Sequence, residues 1–260
     1  MTEDQVLCER HGALALVTLS NPRRFNAMTR VMWRQLRSIF GALQADASVR
    51  CVLLRGQGGH FCAGGDISEY PDFRFSEAGL RDFHENDVWG GLQAILDCDA
   101  PVVAQIDGHC MGAGVEIACC CDIRIAAEAA RFGAPIAKLG FPMAPRELAL
   151  VLREAGALTI REMLLEAGAL TAAQMQTRGF LHRVVPDPQA QAQASVQRIL
   201  SRAPQAARLN KRALRTLHPI VAPDRLATLL PQAYAYADSA EHHEGIEAFL
   251  AKRPACFSQD

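Results

Sequence analysis

Two textures alternate along the first half of the chain. Residues 14–19 (Leu-Ala-Leu-Val-Thr-Leu) form a short apolar run that Ser20-Asn21-Pro22 interrupts, the signature of a strand ended by a breaker. Residues 51–55, closed by Gly56-Gln57-Gly58-Gly59, repeat the pattern, and 101–106 and 123–126 predict two more strands. Between them the period changes. Met32, Leu36, Ile39/Phe40 and Leu43 recur at helical spacing and predict an amphipathic helix over 30–43. Helices are also predicted over 88–96 and, more briefly, over 112–120. Residues 68–86 are polar and irregular and are expected as a helix or mobile flap. Strand and helix alternating through residue 126 predict α/β architecture. Periodicity by itself does not separate a spiral of such units from a doubly wound sheet.

From about Gln189 the strand pattern disappears, and Ala, Gln, Arg and Leu dominate. Helices are predicted over 190–201, 205–217, 224–238 and 242–251. Pro204, Pro219, Pro223 and Pro231 mark boundaries or first-turn positions.

Composition narrows the function classes. Half of the 260 residues are hydrophobic, enough for a sizeable core, and the net charge is −1. That balance argues against a chain built to coat nucleic acid or an anionic membrane. The longest apolar runs are far too short to span a bilayer, and the start Met1-Thr2-Glu3-Asp4-Gln5 has no signal-peptide profile, so a cytoplasmic location is expected. The nine cysteines include Cys119-Cys120-Cys121 inside an apolar stretch and no C-x-x-C pair, which reads as reduced core thiols. His242-His243 is the only histidine pair, and adjacent positions do not share a helix face, so no metal is expected.

Two glycine-bearing segments carry the candidate chemistry: His60-Phe61-Cys62-Ala63-Gly64-Gly65-Asp66-Ile67 and Gly108-His109-Cys110-Met111-Gly112-Ala113-Gly114-Val115-Glu116-Ile117. Small residues let a backbone N–H approach a ligand closely. Two such N–H groups converging on one point would make an oxyanion hole, and Glu116 would stand beside it as an acid/base. Helix dipole would lower the Glu116 pKa and burial would raise it; the sequence leaves the balance open. Asp66 could cap a helix beginning near Ile67 or touch a ligand.

These segments resemble the crotonase superfamily, the enoyl-CoA hydratase/isomerase group. The resemblance also covers Ser20 through Ala27, Cys121-Asp122-Ile123-Arg124-Ile125-Ala126, Phe132-Gly133, Leu139-Gly140 and Gly245 through Phe257. It implies a crotonase-type spiral of ββα turns over residues 1–195 and a helical C-terminal assembly region over 196–260, in a homotrimer or dimer of trimers. It implies an acyl-CoA thioester as partner, with CoA belonging to the substrate and no separate cofactor. The implied oxyanion donors are the N–H groups of Gly65 and Ala113, with the helix N-terminus after them aimed at the same oxygen, and Glu116 matches one of two family hydratase glutamates. Implied substrate or CoA contacts are Arg24, Ala27, Ala63, Gly65, Asp66, Ile67, Gly112, Ile136, Phe249 and Lys252. Arg23 and Arg24 read equally well as a solvated basic patch.

One departure matters. The second hydratase glutamate falls at Ile136, in Phe132-Gly133-Ala134-Pro135-Ile136, and isoleucine cannot carry a proton. A glutamate at 116 with an apolar residue at 136 resembles the methylmalonyl-CoA decarboxylase branch, although Gly65 and Met143 stand where those enzymes carry other polar residues. The expectation is therefore an acyl-CoA enzyme that stabilises a thioester enolate. The alternatives are a decarboxylase of that type and a non-catalytic acyl-CoA-binding protein.

Overall fold

The computed structural model describes residues 4–218 and 223–257; residues 1–3 and the boundary expected at Pro219 lie outside them. Among the described residues nine strands form two sheets. The larger contains β1 (Gln5–His11), β2 (Leu14–Ser20), β3 (Cys51–Gly56), β4 (Val102–Ile106), β6 (Ile123–Ala127) and β9 (Arg183–Val185), in the order β1-β2-β3-β4-β6-β9. The smaller contains β5 (His109–Met111), β7 (Arg131–Gly133) and β8 (Ala169–Thr171). β1 and β2 pair antiparallel, and β2 onward run parallel, with Leu16 beside Leu53, Leu53 beside Val103 and Val103 beside Ile123.

Both faces of the parallel strands are covered, which is why their sequences read as continuous apolar runs rather than alternations. Val52, Leu54, Val102 and Ala104 face the main core. Leu53, Val103 and Ile125 face the helix Pro188–Leu200, where Ala192 and Val196 meet them. Seven of the nine cysteines are buried and all nine are free.

The chain repeats one unit. A strand of the large sheet is followed by a short segment crossing beside it and then by helix. β3 leads to the 61–65 segment, β4 to β5 and the helix Ala113–Cys119, and β6 to β7. The crossing segments are tied by the parallel bridges Met28–Gly65 and Cys62–Cys110. This is the spiral of ββα turns, an α/β fold of crotonase type.

Several elements differ from expectation. β1 was not predicted, because it is an edge strand whose only buried side chain is Val6. Strands of three residues (β5, β7, β8, β9) are too short to show a period. Residues 68–86 are ordered structure: a 3-10 turn Ile67–Asp72, a helix Glu77–Asp82 and a π-helical turn Phe83–Val88 that runs into the helix Trp89–Asp97. The helix expected over 224–238 is instead Pro223–Leu229 followed by a 3-10 turn Leu230–Gln232. Pro231 explains the break, since it lacks the N–H a continuing helix needs. The helix Ala240–Leu250 packs against the turn Ile136–Leu139 and against Ile67–Asp72.

Candidate active site

The two glycine segments lie side by side. Cys62 bridges Cys110, and two residues on, a Cβ built on Gly112 would sit 3.6 Å from the Gly64 Cα. Gly65 and Ala113 follow in register. Among the described residues neither of their N–H groups has a backbone acceptor, although an adjacent residue does in each case: Asp66 donates to Met28 O and Gly112 to Gly133 O. Gly64 and Gly112 have φ of 115° and 47°, and only glycine adopts these without strain. Gly114 is needed for contact, because its Cβ would lie 2.6 Å from Cys62 O.

Beside this pair is a cavity of about 100 Å3. Its wall includes Ala63, Gly65, Ile67, Gly112, Ala113, Glu116 and Ile136, seven of the residues expected at the site. Arg24, Ala27, Asp66, Phe249 and Lys252 are not in that wall. Asp66 is buried and caps the Ile67–Asp72 turn, accepting from Ser68 N at 3.1 Å, and Arg24 pairs with its carboxylate. The capping role is therefore the observed one. Ala27 is buried, and Phe249 is exposed near the end of its helix. Lys252 is exposed, and its Nζ has no partner among the described residues.

Glu116 sits in the first turn of the helix Ala113–Cys119 and lines the cavity. Burial raises its pKa well above the ordinary carboxylate range, the nearby Glu147 raises it further, and Arg74 opposes both. Burial is the largest of these effects. Glu147, in the helix Pro145–Ala155, is shifted upward by burial in the same way. Its Oε1 lies 2.9 Å from His84 Nδ1. His84 belongs to the π-helical turn and lines the cavity; burial lowers its pKa, and its Nε2 is buried without a hydrogen-bond partner. Arg74 completes this polar end of the wall. No sequence signal distinguished Arg74, His84 or Glu147. They come from a polar irregular run and an amphipathic helix, and only folding brings them together.

Known proteins resemble this chain over nearly its whole length. The profile of the family "Enoyl-CoA hydratase/isomerase" matches residues 9–260. The chain belongs to the enoyl-CoA hydratase/isomerase family. It is 30% identical to a probable enoyl-CoA hydratase of Mycobacterium bovis over 99% of both chains. It is 29% identical to the 2,3-dehydroadipyl-CoA hydratase of Escherichia coli, over 97% of this chain and 98% of that one. An enoyl-CoA hydratase/carnithine racemase structure from Magnetospirillum magneticum superposes with a TM-score of 0.80 at 36% identity, covering 100% of this chain and 97% of that one. A methylmalonyl-CoA decarboxylase bound to 2-nitronate-propionyl-CoA superposes at 0.84 with 25% identity, over 98% of each chain. Proteins similar to this chain thus include ones named as hydratases and one named as a decarboxylase. No helix among the described residues is long and apolar enough to cross a membrane, and no cluster of three metal-ligating side chains occurs among them.

Proposed function

We propose that this protein is an acyl-CoA enzyme that stabilises a thioester enolate. The observation that carries the reading is the pair of unpartnered N–H groups of Gly65 and Ala113, in register beside a cavity that Glu116 also lines. The thioester oxygen accepts from both N–H groups. As charge moves onto that oxygen in the transition state the two hydrogen bonds strengthen, and each such donor is worth roughly 2.7–4 kcal/mol. Glu116, held toward its neutral form by burial, has a proton to deliver to the substrate carbon. CoA is part of the substrate in this reading, and no separate cofactor is invoked.

Ile136 favours a second reading, a decarboxylase of the methylmalonyl-CoA type. It places an apolar side chain in the cavity wall where fast hydration would need a second proton-transfer group. Breaking the bond to a departing carboxylate releases CO2 and leaves its electron pair as the enolate, so no base is required. Glu116 then protonates the enolate carbon.

Assembly belongs to the same proposal. The helix Pro204–Leu217 buries only Lys211 and exposes Leu209, Leu214 and Leu217, which suits a homotrimer formed through the C-terminal region, with Lys252 free to meet CoA phosphates.

The test is turnover of crotonyl-CoA, a 3-enoyl-CoA and methylmalonyl-CoA, read by mass spectrometry, for the natural chain and for Glu116→Gln. The variant keeps the shape of the side chain and removes its proton-transfer capacity. Turnover of whichever substrate reacts should fall about 10²–10⁴-fold, with acyl-CoA binding retained. An unchanged rate would show Glu116 to be only a helix-end charge.

A further inference from the structure

Arg74 is 1% exposed, yet it lines the cavity. Its guanidinium lies between two aromatic rings, 4.3 Å from the Tyr70 centroid and 4.1 Å from that of Phe141. Its Nε donates to His242 Nε2 at 3.4 Å, and one terminal nitrogen donates to Tyr236 Oη at 3.5 Å. Both contacts are long. Both partners are neutral: His242 gives its Nδ1 proton to Ala237 O, which leaves Nε2 as an acceptor, and Tyr236 is a buried phenol whose pKa burial raises. No described carboxylate oxygen lies within 4.0 Å of the Arg74 guanidinium. Glu116 and Glu147 act on it from farther away, and burial holds both toward the neutral form.

A guanidinium cannot discard its charge. Taking it out of water without a counter-ion is costly, and ring faces return only part of that cost. His84 adds a second unsatisfied group to the same wall. Its Nδ1 is taken up by Glu147 at 2.9 Å, so Nε2 is the ring nitrogen left for a ligand; with the Glu147 carboxyl protonated, the direction in which burial drives it, that carboxyl donates to Nδ1 and the ring proton is on Nε2. The cavity thus offers a buried cation and a buried N–H donor. Together these match a carboxylate, which accepts from a guanidinium and from a further donor at once.

We propose that Arg74 and His84 form a carboxylate receptor in the acyl cavity, and that the acyl group this protein handles carries a carboxylate. The assignment rests on the acyl-CoA reading above and narrows it from acyl-CoA thioesters in general to carboxyacyl-CoA. A neutral acyl chain of the same size leaves the guanidinium unpaired, so the receptor also discriminates against ordinary fatty acyl groups.

Calorimetric titration with succinyl-CoA and glutaryl-CoA, each compared with the same chain ending in carboxamide, tests this. The paired ligands share size, CoA and polarity and differ in charge. At least one carboxylate should bind tenfold or more tightly than its carboxamide. Arg74→Gln should bring that ratio to within about twofold. Arg74→Lys, which keeps a charge but not the fork, should leave an intermediate ratio. If Arg74→Gln does not fold, the wild-type and Arg74→Lys ratios still decide. Carboxamides binding as tightly as carboxylates, or a preference that survives Arg74→Gln, would overturn the receptor and leave the acyl-CoA reading standing. Absence of binding by all four ligands would overturn both.

Discussion

Glu116 and Gly65 show how single residues divide the work at this site. A Cβ on Gly65 would lie 2.1 Å from Tyr70 Oη, so the position has room for an N–H donor and none for a side chain. Glu116 has the opposite character: its side chain is the function, and its surroundings set its proton affinity. Because its folded pKa is raised, the folded state holds the proton more tightly than the unfolded chain does. Stability is therefore full below the unfolded value of about 4.3 and is lost as pH rises toward the folded one. Glu116→Gln removes that loss. Its melting temperature should gain on the natural chain between pH 5 and pH 8, measured by scanning calorimetry. A difference that stays constant, or shrinks with pH, would mean that the carboxyl titrates normally.

At the scale of elements, the site depends on how closely the C-terminal helix approaches the cavity wall. The helix Ala240–Leu250 meets the turn Ile136–Leu139 backbone to backbone. A Cβ on Gly245 would lie 2.2 Å from the Leu139 carbonyl carbon, and one on Gly140 would lie 1.9 Å from Glu241 O. The same helix carries His242, the partner of Arg74, and the turn carries Ile136. Gly245→Ala should push the two apart, at a cost of about 1–3 kcal/mol in stability from overpacking. Because Arg74 and Ile136 both line the cavity, turnover should fall as well. Urea denaturation together with a rate measurement checks this; a variant with native stability would place the helix contact outside the cooperative core. The π-helical turn Phe83–Val88 is the other element that matters. His84 is buried within it, a placement no sequence period reveals.

For the whole molecule, the assembly proposed above rests on exposed apolar side chains. Leu214 and Leu217 are 68% and 81% exposed on a helix that contributes one buried residue to its own chain. Burial between subunits would remove that apolar surface from water. Sedimentation velocity should find a trimer or a multiple of it, and Leu214→Glu with Leu217→Glu should shift the population toward monomer. A natural chain that sediments as a monomer across the micromolar range would refute the proposed assembly.

The apolar runs at 14–19, 51–55, 101–106 and 123–126 determined the parallel strands, because strands buried on both faces must be apolar throughout. The glycines at 64, 65, 112 and 114 determined where backbone could approach backbone, because no other residue fits those conformations or contacts. Both are local requirements, and local requirements leave a mark on sequence. Spiral closure, the short crossing strands and the ordering of 68–86 left no such mark, since each depends on partners far away in the chain. The polar end of the cavity is the clearest case. Arg74 comes from a turn, and His84, Glu147 and His242 from three separate helical elements, and each alone reads as an ordinary surface or core residue. Their meaning comes from burial, which raises the carboxyls, leaves His84 Nε2 unpartnered and strips Arg74 of a counter-ion. Burial is a property of the packed chain, so only the tertiary structure could decide it.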